Sequence, residues 1–204
     1  MQAYMKSEMP FRGVQKPARV AMLRPVLREH ALPDRDTWDA TIRALWDEAA
    51  YREERYAAVD LARHRPYSAF ATDEQSMDLY DHLIVTGAWW DYVDDVAIRL
   101  VGPTLLTHRA GVTPTVLRWA RDSDRWRRRA AVICQVGARD ETDTALLTTC
   151  IRDNAGDTDF FLRKGIGWAL REHAKTCPDW VRSFVATHRD RLSPLSIREA
   201  TRNL

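Results

Sequence analysis

Apolar residues recur at intervals of three and four from Thr37 to the C-terminus, and nowhere do β-branched residues alternate with polar ones over the length of a strand. The pattern predicts an all-α protein. Turn-forming residues interrupt it at Pro33, Pro66, Gly102-Pro103, Thr113-Pro114, Asn154-Ala155-Gly156 and Pro178, leaving helices of about 10 to 20 residues between them. The connections are short, so neighbouring helices are expected to be antiparallel. Two starts are well marked. Asp122-Ser123-Asp124 offers N-cap side chains for a helix beginning near Asp124, and Asp157-Thr158-Asp159 offers a second capped start.

A faint repeat runs through these helices. Arg55-Tyr56-Ala57-Ala58-Val59 resembles Arg128-Arg129-Ala130-Ala131-Val132, with Tyr92-Val93-Asp94 and Arg163-Lys164-Gly165-Ile166 falling between and after them. Aligning Ala57, Asp94, Ala130 and Gly165 gives steps of 37, 36 and 35 residues. That period suits antiparallel helix pairs stacked as HEAT-like repeats into a curved solenoid, whose second helices line a concave face. With 204 residues and 23.6 kDa, the chain is expected to form a single domain over residues 1–204.

Composition narrows the setting. A 45% hydrophobic and 29% charged chain has no apolar run near the roughly 18 to 20 residues that span a bilayer, so no membrane partner is expected. No secretory signal precedes the helices. Cys134, Cys150 and Cys177 are too few and too scattered for a zinc site or a disulfide scaffold, which fits a reduced cytoplasm. The six histidines lack metal spacing, and Gly165-Ile166-Gly167 lacks the strand and third glycine of a dinucleotide site, so neither metal nor nucleotide cofactor is expected. The net charge of +2 does not by itself announce nucleic acid. Its arginines do cluster, at Arg121, Arg125, Arg127, Arg128 and Arg129 and again at Arg163-Lys164.

Two kinds of candidate chemistry follow. Several arginines fall in the first turns of the helix after Asp124, where the helix dipole disfavours cations; such a start calls for an anion, either a nucleic-acid phosphate or local carboxylates. The second candidate is Trp89-Trp90-Asp91-Tyr92-Val93-Asp94. Trp90 and Asp94 are four apart, so a helix stacks an indole and a carboxylate on one face, a pairing suited to a cationic centre. Asp91 and Asp95 lie off that face and read as solvated or structural. Gly165 and Gly167 each cost about 1 kcal/mol relative to alanine within a helix, and serve either tight packing or the approach of a bulky ligand. Trp168 follows them.

In their order and spacing these segments resemble the bacterial DNA alkylation repair glycosylases of the AlkD type. The resemblance covers nearly the whole chain: Tyr4-Met5-Lys6, Pro10-Phe11-Arg12-Gly13-Val14, Trp89-Trp90-Asp91, Val93-Asp94, Trp126 with Arg129-Ala130-Ala131, Phe160 through Glu172, and Pro194-Leu195-Ser196. It implies a monofunctional DNA glycosylase that removes cationic N3- and N7-alkylated purines from double-stranded DNA. By the same resemblance Asp94 is the catalytic carboxylate, Trp90 and Trp168 pack against the lesion's deoxyribose, Arg129 meets the adjacent phosphate, and Tyr4 lies near the site. Arg125, Arg128, Arg163 and Lys164 are further candidates for DNA contact. Family members carry a helical segment ahead of the tyrosine, whereas here Tyr4 is almost at the start.

What the resemblance implies is chemically consistent. An N3- or N7-alkylated purine is already positively charged and leaves without a general acid, so the protein need only stabilise an oxocarbenium-like sugar and direct water at C1′. Indole faces add about 0.5 to 2 kcal/mol toward a desolvated cation. The family is understood to act without flipping the base into a pocket, unlike most glycosylases, which leaves room for bulky adducts. A cytosolic monomer, nucleoid-associated when bound to DNA, is expected. The competing expectation is a non-catalytic HEAT-repeat protein that binds damaged or branched DNA through the same arginines.

Overall fold

The computed structural model describes residues 2–204, with side chains from Tyr4 onward, and among these residues every regular element is helical. The chain packs as two compact units that divide after Ala71.

The first unit contains α1 (Gln2–Met5), α2 (Lys16–Glu29), α3 (Arg35–Asp47), α4 (Arg52–Ala62), a 3₁₀ turn at Arg65–Tyr67 and α5 (Ser68–Ala71). The side chain of Asp34 caps α3 by accepting from the Thr37 amide at 2.8 Å. Trp38, Ile42 and Trp46, each four residues from the next, are fully buried. They form one stripe of α3, which packs against α4 and its Ala58, Val59, Leu61 and Ala62. Helix α2 lies ahead of the periodic pattern and was not expected. It buries none of its residues and is tied to α4 by the Arg19–Asp60 ion pair at 2.7 Å. Ahead of it, the nearly buried Glu53 accepts the backbone amides of Arg12, Gly13 and Val14 at 2.8 to 3.1 Å, with Gly13 at φ +82°. Three amides converging on one carboxylate fix that loop and hold Glu53 below the usual carboxylate range despite its burial.

The second unit runs from Thr72 to Leu204. It contains α6 (Met77–Gly87), α7 (Trp90–Val96), α8 (Gly102–Thr107), α9 (Arg109–Trp119), α10 (Arg125–Ile133), α11 (Thr144–Asn154), α12 (Phe160–His173), α13 (Pro178–Thr187) and α14 (Pro194–Ala200). Helices α7, α10, α12 and α14 pack side by side in that order, and α9 and α11 pack against α10 and against each other. Side chains across this row meet at about one repeat's separation. Asn154 donates to the Ala120 carbonyl, 34 residues away, and Ser196 to that of Arg163, 33 residues away. Arg129 and Lys164 each pair with a carboxylate 35 residues distant.

The capped starts lie where the sequence places them, with Asp124 and Asp159 each accepting two first-turn amides. Two expected breaks are not breaks. Pro114 lies inside α9, and the backbone passes through Gly102-Pro103 in helical conformation because Ala97–Val101 winds as a π turn. The wider turn closes on the Gly102 amide bonded to the Ala97 carbonyl, which accommodates a proline that can neither donate nor sit above a normal i−4 carbonyl. Glycine is required at 102, since a Cβ there would overlap the Cys134 carbonyl. No described helix is long and apolar enough to cross a membrane.

Candidate active site

Helix α7 begins at a sharp corner. Ala88 takes a left-handed conformation, φ 42° and ψ 35°, and Trp89 is extended as the N-cap residue. From there Tyr92, Val93, Val96, Ala97 and Leu100 turn into the core, while Trp90 and Asp94 fall on a partly open face. Trp89 plays a different part from Trp90. Its ring meets Trp126 at 6.1 Å and Phe161 at 5.5 Å between centroids, and Trp126 meets Phe161 at 5.0 Å. These three rings come from the N-terminal ends of α7, α10 and α12, so the triad aligns those ends on an apolar footing.

Above the triad, Arg129 of α10 forks onto Asp94, its Nε donating to Oδ1 at 2.6 Å and its Nη2 to Oδ2 at 2.7 Å. Nη1 donates to the Phe161 carbonyl. The side chains are 6% and 14% exposed for Arg129 and Asp94, so both charges are largely desolvated and the pair is bidentate and fixed. Burial pushes the Asp94 carboxyl above its ordinary value. The Arg129 guanidinium pulls it back down, and the negative charges of Asp91 and Asp95 push it up further. The cost of burying the charge is the larger effect, so the carboxyl stays above its ordinary value.

Gly165 borders this arrangement: a Cβ at that position would stand 3.2 Å from Arg129 Nη1, the nitrogen that donates to the Phe161 carbonyl, and 3.3 Å from Ile133 Cγ2. Gly167 serves packing as well: a Cβ there would overlap that of Glu199 and lie 2.9 Å from the Ser196 carbonyl oxygen. Of the two uses open to these glycines, close packing is the one observed. Trp168, half-buried, lies one turn beyond Gly165 on α12. Trp90 thus shares α7 with Asp94, and Trp168 lies on the helix whose Gly165 borders Arg129.

Arg125, Arg127 and Arg128 meet carboxylates of the protein itself. Arg127 forks onto Asp81 at 2.7 Å and reaches Asp122 at 3.4 Å; Arg128 reaches Asp157 at 3.1 Å and Arg125 reaches Asp159 at 3.2 Å. Arg163 donates to the Asp157 carbonyl at 2.8 Å and Lys164 to Glu199 at 2.8 Å. The anion demanded by a basic helix start is thus supplied internally, which is the local-carboxylate alternative. Tyr4 lies in α1 of the first unit and is 76% exposed. Asp81, Phe161 and Glu199 escaped sequence reasoning. Asp81 and Glu199 look like any surface acid, although the 35-residue step from Lys164 to Glu199 was a usable signal. Among the described residues no group of three His, Cys, Asp or Glu side chains could hold a metal ion.

Two comparisons with known proteins give a match along the whole chain. A family profile described as DNA alkylation repair enzyme matches residues 1–204. A solved structure described as a predicted DNA alkylation repair enzyme from Enterococcus faecalis is similar over 100% of this chain and 92% of that one, with a TM-score of 0.80 and 29% sequence identity. No curated protein matches significantly. With a profile match along its whole length and an all-α architecture shared with that structure, this chain belongs to the DNA alkylation repair enzyme family.

Proposed function

We propose that this protein is a monofunctional DNA glycosylase that hydrolyses the N-glycosidic bond of cationic N3- and N7-alkylated purines in duplex DNA. The observation that carries the proposal is Asp94 itself: a desolvated carboxylate, held by a two-point fork from Arg129, on the helix face it shares with Trp90. In the reaction the C1′–N bond breaks with its electron pair going to the purine, which leaves as a neutral base. Positive charge develops on the deoxyribose, where Asp94 opposes it at low dielectric and the indoles of Trp90 and Trp168 present their electron-rich faces. Water adds to C1′ and gives up its proton to Asp94. A carboxyl raised above its ordinary value is the better base for that step.

Arg129 retains two of its five N–H groups after the bonds to Asp94 and Phe161. Those two are the proposed donors to a DNA phosphate beside the lesion, with Arg125, Arg128, Arg163 and Lys164 as further contacts and Tyr4 as an N-terminal one. Phosphate binding alone has no use for Trp90, Asp94 and Trp168, so a purely DNA-binding role leaves the best-formed part of the site unexplained.

The test is release of free 7-methylguanine from a duplex containing it, by wild type and by Asp94→Asn. Release by wild type and its loss, by about 100-fold or more, in Asp94→Asn is the expected result. Binding of DNA without release by wild type would overturn the enzymatic reading, and equal release by both proteins would remove Asp94 from its role.

A further inference from the structure

Between α2 and the turn that follows α4 lies a cavity of about 690 Å³, lined by residues of the first unit that have no part in the proposed reaction. Its apolar lining comes from Leu27, Leu32, Pro66, Tyr67 and Phe70. Helix α2 buries no residue, and Leu27 itself is only partly covered. The apolar contact that normally anchors a helix of 14 residues is therefore incomplete on this side.

The floor is aromatic and already fixed. The rings of Tyr67 and Phe70 lie nearly parallel, with centroids 6.2 Å apart and planes 10° from each other. Tyr67 is buried and its hydroxyl accepts the Leu32 amide at 2.8 Å, while Phe70 meets the fully buried Trp38 at 6.1 Å. A wall held by a hydrogen bond and by core packing needs no rearrangement to receive a side chain.

The rim is basic. Arg24 and Arg28 are four apart on α2, which sets them on one face about 6 Å apart along the axis, and His64 joins them from the end of α4. None of the residues lining the cavity is acidic. Glu29 reaches Arg28 at 3.4 Å, but with side chains 63% and 75% exposed that pair is screened by water and weak. Arg125, Arg127 and Arg128 of α10 differ, since each meets a carboxylate of the protein. Positive charge beside an apolar floor is complementary to a ligand with one apolar part and one anionic part. A DNA duplex supplies anionic charge but keeps its bases stacked inside, so it would leave the aromatic floor unused.

We infer that this cavity docks an acidic peptide segment of a partner protein: one large apolar side chain fills the space against Tyr67 and Phe70, and neighbouring aspartates or glutamates meet Arg24 and Arg28. The site is separate from the proposed chemistry and stands whether or not the protein proves to be a glycosylase.

Fluorescence anisotropy with the full chain and a labelled hexapeptide of four aspartates followed by Leu-Phe tests the docking. Binding with a Kd of about 10 to 100 μM, weakening as salt is raised, is expected. The same peptide ending in Gly-Gly is expected to bind about tenfold more weakly or worse, because it has nothing to bury against the floor. Arg24→Glu and Arg28→Glu reverse exposed charges and are each expected to weaken the Leu-Phe peptide about tenfold at an unchanged melting temperature, while binding a lesion-free duplex as wild type does. Absence of peptide binding, equal affinity for the two peptides, or wild-type affinity in both arginine variants would overturn the inference. Loss of duplex binding in Arg24→Glu, with the Leu-Phe peptide unbound by wild type, would assign the rim to nucleic acid instead.

Discussion

Asp94 is pulled in opposite directions by burial, which resists its charge, and by Arg129, which welcomes it; burial prevails and the carboxyl sits above its ordinary 3.8. If Asp94 acts ionised, kcat/KM for base release falls as pH drops through that raised value, so the acid limb lies above the range of an exposed aspartate. Arg129→Gln removes the opposing pull and is expected to move the limb to still higher pH. A pH profile of single-turnover release on 7-methylguanine duplex checks both, and an acid limb at the ordinary aspartate value in both proteins would contradict the assignment. The sequence made Trp90 and Asp94 legible because a spacing of four on a helix is enough to put two residues on one face. It did not show that Arg129 would be spent on Asp94: one repeat of separation puts the two on neighbouring helices but leaves a phosphate and a local carboxylate equally open as the arginine's partner.

At the scale of helices, Gly165 and Gly167 look alike in sequence and do different work. Alanine at either gains about 1 kcal/mol of helix propensity. At 167 the new methyl meets Glu199 and the backbone of Ser196, and such overpacking costs about 1 to 3 kcal/mol, so Gly167→Ala is expected to lower the melting temperature. At 165 the neighbours are the guanidinium end of Arg129 and one methyl of Ile133, at ordinary distances less a few tenths of an ångström. Gly165→Ala is therefore expected to leave stability nearly unchanged but to disturb the fork and reduce base release. Calorimetry paired with the release assay separates them; a stable, fully active Gly165→Ala would show that the fork tolerates the intrusion. The helix starts at Asp124 and Asp159 could be read directly, since an N-cap is a local signal. Helix α2 could not, because it buries no residue and carries prolines at its start and at Pro25. Pro114 and Pro103 misled for a related reason: packing and a π turn offset what proline costs in an isolated helix.

For the molecule as a whole, pH sensitivity has a second source at the C-terminal end of α12. His173 is buried against Trp180, with both ring nitrogens lacking a protein partner, and burial lowers its pKa below 6.5. The unfolded chain then binds a proton more readily than the folded one, so stability is fully present above pH 6.5 and is lost as pH falls from there toward the depressed folded value. Melting temperature is expected to drop over that window and to drop less in His173→Phe; identical profiles would mean that another group controls it. Periodicity, N-caps and a 35- to 37-residue repeat determined the helical class, the helix starts at Asp124 and Asp159 and the Trp90–Asp94 face from sequence alone, because each depends on residues within a few turns or on a regular recurrence. Tertiary structure decided which arginine meets which carboxylate, which glycine opens which gap, and that Glu199 gathers Lys164 and Arg171. Those choices depend on how closely two helices approach, a distance fixed by side chains packed between them and not by the spacing of residues along either one.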